Sequence, residues 1–447
     1  MSTTEKPTRP AASAPPTFPH PGVPPLFPEK VKSPRQSAFE LVVIVAAIVG
    51  LTVLTGTTDI AIIVACIIVI VMVHEFGHLL AAKHGGMKVT EYFLGFGPRL
   101  WSFRRGETEY GIKAFPLGGY VKIPGMTNLE EVDPEDEPRT YRQQPFHARL
   151  LVALAGSFMH LVMAFILLWS LLTFVGIPSS SQIQVQVAPS IAGQTSPAAA
   201  AGLQNGDIVV SINGKAVNGN PDTLTHAIQS HPGQPIPVVV DRAGRRVNLM
   251  VTPANGRTVH EKGAQAPKGS APFGVIGITL GSPTVRTNPI HAVGTTTVDI
   301  GHFSWTTVTL VGRLFSPSSI SSWFHQVASA QAASQATANG TRVSSIVGAV
   351  GAGGQAVHAG IGDTLIFLVS INLFLGVFNL FPMLPLDGGH VVIAVYEKIR
   401  TGSRKVLYHA DVAKLMPFTW LMLAFLAVLF TTALLNDLLH PIANPFN

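Results

Sequence analysis

A chain that runs 28 residues, from Leu150 to Ile177, without one charged side chain has few places to put them. Thr364 to Leu386 is also uncharged, as is roughly Pro417 to Asn436. Near the start, Leu41 to Thr58 and Ile60 to Val73 form a double apolar run, broken at Gly56-Thr57-Thr58-Asp59. The second of these continues through His74 to Ala82. About 20 apolar residues cross a hydrocarbon layer of about 30 Å as a helix. The pattern therefore predicts a polytopic α-helical membrane protein with about five spans. Composition agrees: Asp, Glu, Lys and Arg make 12% of 447 residues, about half the globular share. So little charge cannot coat several soluble domains, and a collagen, a coiled coil or a disordered regulator is excluded. The single cysteine, Cys66, excludes a disulfide scaffold and a thiolate zinc cluster.

The formal net charge of +6 is a matter of topology. Lysine and arginine are absent between Gln36 and Ala82, between Leu150 and Gly214, between Val343 and Glu397, and after Lys414. They gather on the flanks: Lys30, Lys32 and Arg35; Lys83 and Lys88; Arg139, Arg142 and Arg149; Lys398, Arg400, Arg404 and Lys405. The positive-inside rule places these flanks, and the N-terminus, in the cytoplasm. Residues 178 to 362 then lie outside. Nucleic acid is not implied as a partner; the lipid bilayer is.

Five regions follow. Residues 1–37, whose first 36 carry ten prolines, read as a disordered cytoplasmic tail. Residues 38–177 form an N-terminal membrane half. Residues 178–256 read as an extracytoplasmic β-rich domain. Ile183 to Val187 alternates with period two, Ile208 to Ile212 is an apolar strand, and Asn213-Gly214 signals a hairpin. Asn220-Pro221 opens a short helix, and two more strands flank Ala243-Gly244. Residues 257–360 read as linker followed by amphipathic helices at the membrane surface, with Phe303, Trp305, Leu310, Trp323 and Phe324 as apolar anchors. Residues 361–447 form a C-terminal membrane half.

The chemistry sits in His74-Glu75-Phe76-Gly77-His78. Helical positions i and i+4 share a face, so two imidazoles can grip one zinc ion. The intervening glutamate can then act as general base on the attacking water. Ionisable groups in a membrane helix are costly and mostly functional. Zinc hydrolases commonly use a third protein ligand at the same depth. Asp59 lies about 22 Å away along the helix, and Asp363 begins its span on that same outer side. Asp387 ends its span on the side of His74 and His78, as Glu40 also does, and depth favours Asp387. It follows Asn379, Pro382 and Pro385 and precedes Gly388-Gly389. Broken helix at membrane depth is tolerated only beside protein or a water-filled cavity.

These residues resemble the site-2 protease family of intramembrane zinc metalloproteases, in particular the bacterial group with a PDZ domain that cleaves anti-sigma factors. The resemblance rests on His74-Glu75-Phe76-Gly77-His78 with Lys83 to Val89; on Phe93-Leu94-Gly95-Phe96-Gly97-Pro98; on Glu109-Tyr110 with Pro116-Leu117-Gly118-Gly119-Tyr120-Val121-Lys122; and on Asn379 to His390. It covers roughly residues 60 to 447. It implies Zn2+ held by His74, His78 and Asp387, with Glu75 as catalytic base. It also implies that Asn379 holds the substrate backbone. Gly118, Gly119 and Tyr120 would lie on a cytoplasmic-side, membrane-associated β-hairpin that binds substrate. The outer domain would be PDZ-like. The substrate would be a single-pass transmembrane protein, such as an anti-sigma factor, first trimmed by an upstream site-1 protease.

The chain departs from the family at Ala155-Gly156-Ser157-Phe158-Met159-His160, where Ala-Gly-Pro with an Asn three residues on is usual. Leu384 stands where a proline is common, and the first span and the proline-rich tail look like additions. His160 and His390 have no assigned role. A different class remains as an alternative, a catalytically inert membrane scaffold whose PDZ-like domain binds peptide termini. A metal transporter would need ionisable residues spread across the bilayer, which these spans lack.

Overall fold

The structure is a computed structural model that describes residues 34–126, 130–257, 272–339, 341–402 and 408–441. The greater part of the proline-rich tail and the centre of the expected linker lie outside the described residues.

Helix α1 (Pro34–Thr55) leads into α2 (Thr58–His84). Through His78 the buried residues of α2 are Ile63, Ile70, His74 and Gly77 with His78 itself, a spacing that keeps one helix face toward its neighbours, and Leu79, Ala81 and Ala82 bury the last turn on more than one side. Gly86, at φ +74°, turns the chain out of the helix. A long hairpin follows, with β1 (Glu91–Arg105) antiparallel to β2 (Thr108–Lys122). The hairpin packs on α2 mainly through β2, while α1 lies against β1.

Helix α3 (Phe146–Ser170) starts after Pro145 and continues through a wider π-turn, Leu171–Val175. Gly176, at φ +90°, ends it. Gly77 sets how closely α2 approaches α3: a Cβ there would lie 2.7 Å from the Ala155 carbonyl oxygen. Small residues at such crossings are how membrane helices gain contact without a hydrophobic drive.

The segment beyond α3 folds as a six-stranded sheet. Its strands are β3 (Ile183–Val187), β4 (Ile208–Ile212), β5 (Lys215–Ala216), β6 (Ile236–Arg242), β7 (Arg245–Val251) and β8 (Ile278–Gly281). The order is β7-β6-β4-β3-β8, with β5 paired to β4. A one-turn helix α4 (Pro197–Ala200) and α5 (Pro221–Gln229), capped by the Asn220 side chain, cover its core. Val185, Val209, Ile212, Leu224, Val238 and Val240 fill that core. Asn213-Gly214 and Ala243-Gly244 both turn with positive φ, as two-residue hairpins require. The sequence reading closed this domain at residue 256, but the edge strand β8 lies beyond it. Four residues separated from the rest by a long connection give too short an alternation to stand out. The chain enters and leaves the domain side by side, because Ile177–Pro178 pairs antiparallel with Thr284–Val285.

Residues 290 to 360, expected at the membrane surface, form four helices: α6 (Pro289–Leu314), α7 (Pro317–Ala328), α8 (Ala330–Ala338) and α9 (Ile346–Ala359). The side chains of Asn288, Ser316, Ser329 and Ser345 cap them in turn. Helix α6 lies along α3 and α10 (Ile361–Asn379). Trp169 Nε1 donates to the Pro289 carbonyl at 3.1 Å at one end of α6. At the other end, Phe315 stacks on Phe381 at 4.1 Å and on Phe425 at 4.8 Å.

The expected span Thr364 to Leu386 is helical only to Asn379. Pro382 and Pro385 force an irregular loop from 380 to 386, and α11 (Asp387–Thr401) starts after it. Helix α12 (Met416–Leu439) completes the chain. Among the described residues, four segments are long and apolar enough to cross a membrane: Thr58–His84, Phe146–Val175, Ile361–Asn379 and Val412–Leu439. The first expected span is a shorter apolar helix, Phe39–Thr55.

Candidate active site

His74 and His78 lie one turn apart on the buried face of α2 and are 7% and 6% exposed. Asp387 is the first residue of α11. The loop from 380 to 386 folds back over that first turn, and Gly388 and Gly389 leave it room. A Cβ on Gly389 would lie 2.6 Å from Leu384 N, and one on Gly388 would collide with the carbonyls of Leu380 and Phe381. This brings Asp387 Oδ2 to 3.4 Å from His74 Nε2 and 3.3 Å from His78 Nε2. The two Nε2 atoms are 3.2 Å apart. Thus the structure brings Asp387, distant in sequence, to the two histidines, with the three donor atoms all within 4.8 Å of one another.

The proton positions show what this cluster can hold. His78 Nδ1 lies 2.7 Å from the Val152 carbonyl oxygen, which has only lone pairs to offer, so Nδ1 carries the hydrogen. Nε2 of the neutral ring is then a lone pair. It faces a second imidazole nitrogen and a carboxylate oxygen. Asp387 Oδ2 makes no hydrogen bond although it is buried. Electron-rich atoms converging this closely need a cation among them, and imidazole plus carboxylate suits zinc. A carbonyl behind the ligating imidazole fixes tautomer and ring direction, as is usual behind metal ligands. His390 is not part of the donor group; its ring packs edge-on to Tyr141 at 6.3 Å.

Glu75 follows His74 on α2, and the hairpin crosses α2 at its level. A Cβ on Gly119 would lie 3.0 Å from Met72 Sδ and 3.1 Å from Glu75 Cγ. Tyr92 OH donates to the Met72 carbonyl at 2.8 Å, which ties β1 to the same turn of α2. Burial, with the Glu75 carboxylate nearby, pushes that phenol up to about 12, so it stays a neutral donor. Gly118, at φ +151°, sits beside Gly119, and Tyr120 OH donates to Glu91 Oε2 at 2.5 Å. Asn379 is the last residue of α10, half-buried, across the 380–386 loop from Asp387.

Sequence reasoning missed three features. Gly156 packs directly on the two imidazoles: a Cβ there would lie 2.7 Å from His74 Nδ1 and closer still to His78 Nε2. Its signal was only a glycine inside an apolar run. His160, left without a role, bonds across to Asn372 on α10 at 3.1 Å, and its ring lies 4.9 Å from that of His74. Asn372, a polar residue in mid-span, was findable by the rule that singled out His74. The third is a buried ion pair between Arg149 on α3 and Glu397 on α11. Glu397 Oε1 also accepts from Ala410 N at 2.6 Å. It clamps the helix that begins with Asp387 onto α3.

Comparison with known proteins identifies the family. The model of peptidase family M50 matches residues 62–424. Zinc metalloprotease Rip1 of Mycobacterium tuberculosis is 32% identical over 417 residues, covering 86% of this chain and 98% of that protein. The Rip1 of Mycolicibacterium smegmatis is 33% identical over 401 residues, covering 84% and 96%. The chain belongs to peptidase family M50, the site-2 proteases, and is a zinc metalloprotease of that type.

Proposed function

We propose that this multi-pass membrane protein hydrolyses a peptide bond within the transmembrane helix of a single-pass membrane protein. The observation that carries the reading is the convergence of His74, His78 and Asp387 beside Glu75, on the turn of α2 that the hairpin crosses. His74 and His78 through Nε2, and Asp387 through its carboxylate, would hold the zinc. When bound, zinc acts as a Lewis acid that polarises the scissile carbonyl and acidifies water. Glu75 accepts the proton of the attacking water and returns it to the leaving amine. Val152 keeps His78 in the tautomer that leaves Nε2 free.

A peptide bond inside a helix is shielded, so the substrate has to unwind locally. Its freed N–H and C=O groups then need partners within the membrane. The two-stranded hairpin offers strand edges for β-addition. Gly118, Gly119 and Tyr120 would form the part nearest Glu75, and Asn379 would take a backbone group from the other side. The small Gly119 lets the hairpin backbone approach Met72 and Glu75 closely.

In this reading the chain makes five crossings, the N-terminus is cytoplasmic, and the β domain is extracytoplasmic and PDZ-like. That domain would screen substrates by size, admitting stubs already trimmed by a site-1 protease, with an anti-sigma factor as the kind of protein cut. The alternative of an inert scaffold that binds peptide termini needs none of the donor convergence.

The test is made on detergent-purified protein. Glu75→Gln should retain about one zinc per chain and leave a transmembrane substrate intact, whereas His78→Ala should lose the zinc. Undiminished cleavage by Glu75→Gln overturns the mechanism. A wild-type protein that binds no zinc supports the scaffold.

A further inference from the structure

His160 touches both halves of the proposed site. It is 2% exposed on α3. Its Nδ1 lies 3.1 Å from Asn372 Oδ1, and the Asn372 amide nitrogen donates to the Leu368 carbonyl at 2.8 Å. The amide oxygen is therefore the acceptor toward His160, and Nδ1 carries the hydrogen. On its other side the ring lies tilted at 40° against His74, with centroids 4.9 Å apart. Its Cβ fits against Gly376, where an added Cβ would lie 2.9 Å away. Asn372, Gly376 and Asn379 are spaced by four and three residues and so share one face of α10. The face that grips His160 is the face that carries Asn379.

We propose that His160 is a positioning residue that wedges between His74 and α10, fixing the His74 imidazole and the register of the substrate-holding helix together. An apolar side chain of similar size would fill the space without orienting anything. The imidazole instead spends one nitrogen on an inter-helix bond and sets its ring against a metal ligand. His74 Nδ1 lies against the Gly156 backbone without the well-formed hydrogen bond that Val152 gives His78. Packing by His160 and Gly156 is therefore what remains to hold the His74 ring, and any shift of α10 reaches it through the Asn372 bond. This inference rests on the assignment of His74 as a zinc ligand.

The test is competition for Zn2+ alone against a chromophoric chelator, using the full chain in detergent, with helical circular dichroism and thermal melting recorded alongside. His160→Ala should weaken zinc binding by roughly tenfold to a hundredfold, the range for residues that orient metal ligands. Asn372→Ala should weaken it less. The double variant should be no weaker than His160→Ala, because the bond acts only through His160. Where His160→Ala does not fold, His160→Asn, which keeps an amide for Asn372 but no ring against His74, should show the same loss. A lower melting point with unchanged zinc affinity overturns the proposal, as do fully additive losses in the double variant. His78→Ala separates the two levels. If it still binds zinc, the ligand assignment itself falls. If it loses zinc while His160→Ala does not, only the wedge falls.

Discussion

Gly156 on α3 and His74 on α2 are packed so closely that one methyl group between them would stand 2.7 Å from the imidazole Nδ1. Both ligand rings rest on that glycine, and the helix crossing leaves them nowhere to retreat. Gly156→Ala should therefore turn the imidazoles away from Asp387 and weaken zinc binding on the order of tenfold or more. Helical content should be retained. Chelator competition and circular dichroism on the same sample check this; unchanged affinity would show that the rings can yield.

Gly119 stands over Glu75 from the hairpin side. Gly119→Leu would drive a side chain against Met72 and Glu75 and push the hairpin off α2, without meeting the three candidate zinc donors. Cleavage of a transmembrane substrate should fall by about a hundredfold, as for a misplacement at a reacting centre, while zinc content stays at the wild-type level. Simultaneous loss of zinc would mean that the hairpin supports the metal centre instead.

Arg149 and Glu397 bury opposite charges between α3 and α11. Removing one leaves the other uncompensated, which costs about 3–5 kcal/mol. Glu397→Ala should thus unfold more easily in detergent, and its weaker hold on α11 should loosen zinc. The paired change Arg149→Met with Glu397→Leu should recover most of the stability. A single variant as stable as the wild type would contradict this.

In the β domain, Asp207 is 1% exposed and is held by Arg242 Nε at 2.8 Å and Nη2 at 2.7 Å. Burial works to raise its pKa, but the Arg242 bonds and the Gln204 N–H outweigh it, and the carboxyl stays below its ordinary value. The folded state therefore binds its proton less readily than the unfolded one. The resulting stability is present above about pH 3.9 and is lost as pH falls through the folded value. Protection against amide exchange at Ile208 to Ile212, taken relative to the intrinsic rate at each pH, should fall on acidification in that window, and the fall should shrink in Asp207→Asn.

The residues of the candidate site were legible because charge is so scarce in the membrane halves that His74, Glu75 and His78 stand out, and depth alone pointed to Asp387, which the structure brings beside the two histidines. The break after Asn379 was legible from Pro382 and Pro385. The rest depends on which helix faces touch. Arg149 and Glu397 are 248 positions apart, and no periodicity links them. His160 and Asn372 were visible one at a time as polar residues in apolar runs, but their pairing is set by the crossing of α3 with α10. The helices after residue 289 carry mixed polar and apolar faces, so hydropathy could not say which side meets the bundle. The closeness of Gly156 to two rings is a property of backbone approach and leaves no compositional trace.

The antiparallel pairing of Ile177–Pro178 with Thr284–Val285 has a bearing on how such proteins diversify. An insertion whose two ends are zipped together is, to the rest of the molecule, a single loop of fixed width. Its length, its fold and even its presence impose no strain on the helices that carry His74 and Asp387. The inserted module can thus be exchanged, duplicated or retuned for a new client while the rest of the molecule is inherited unchanged.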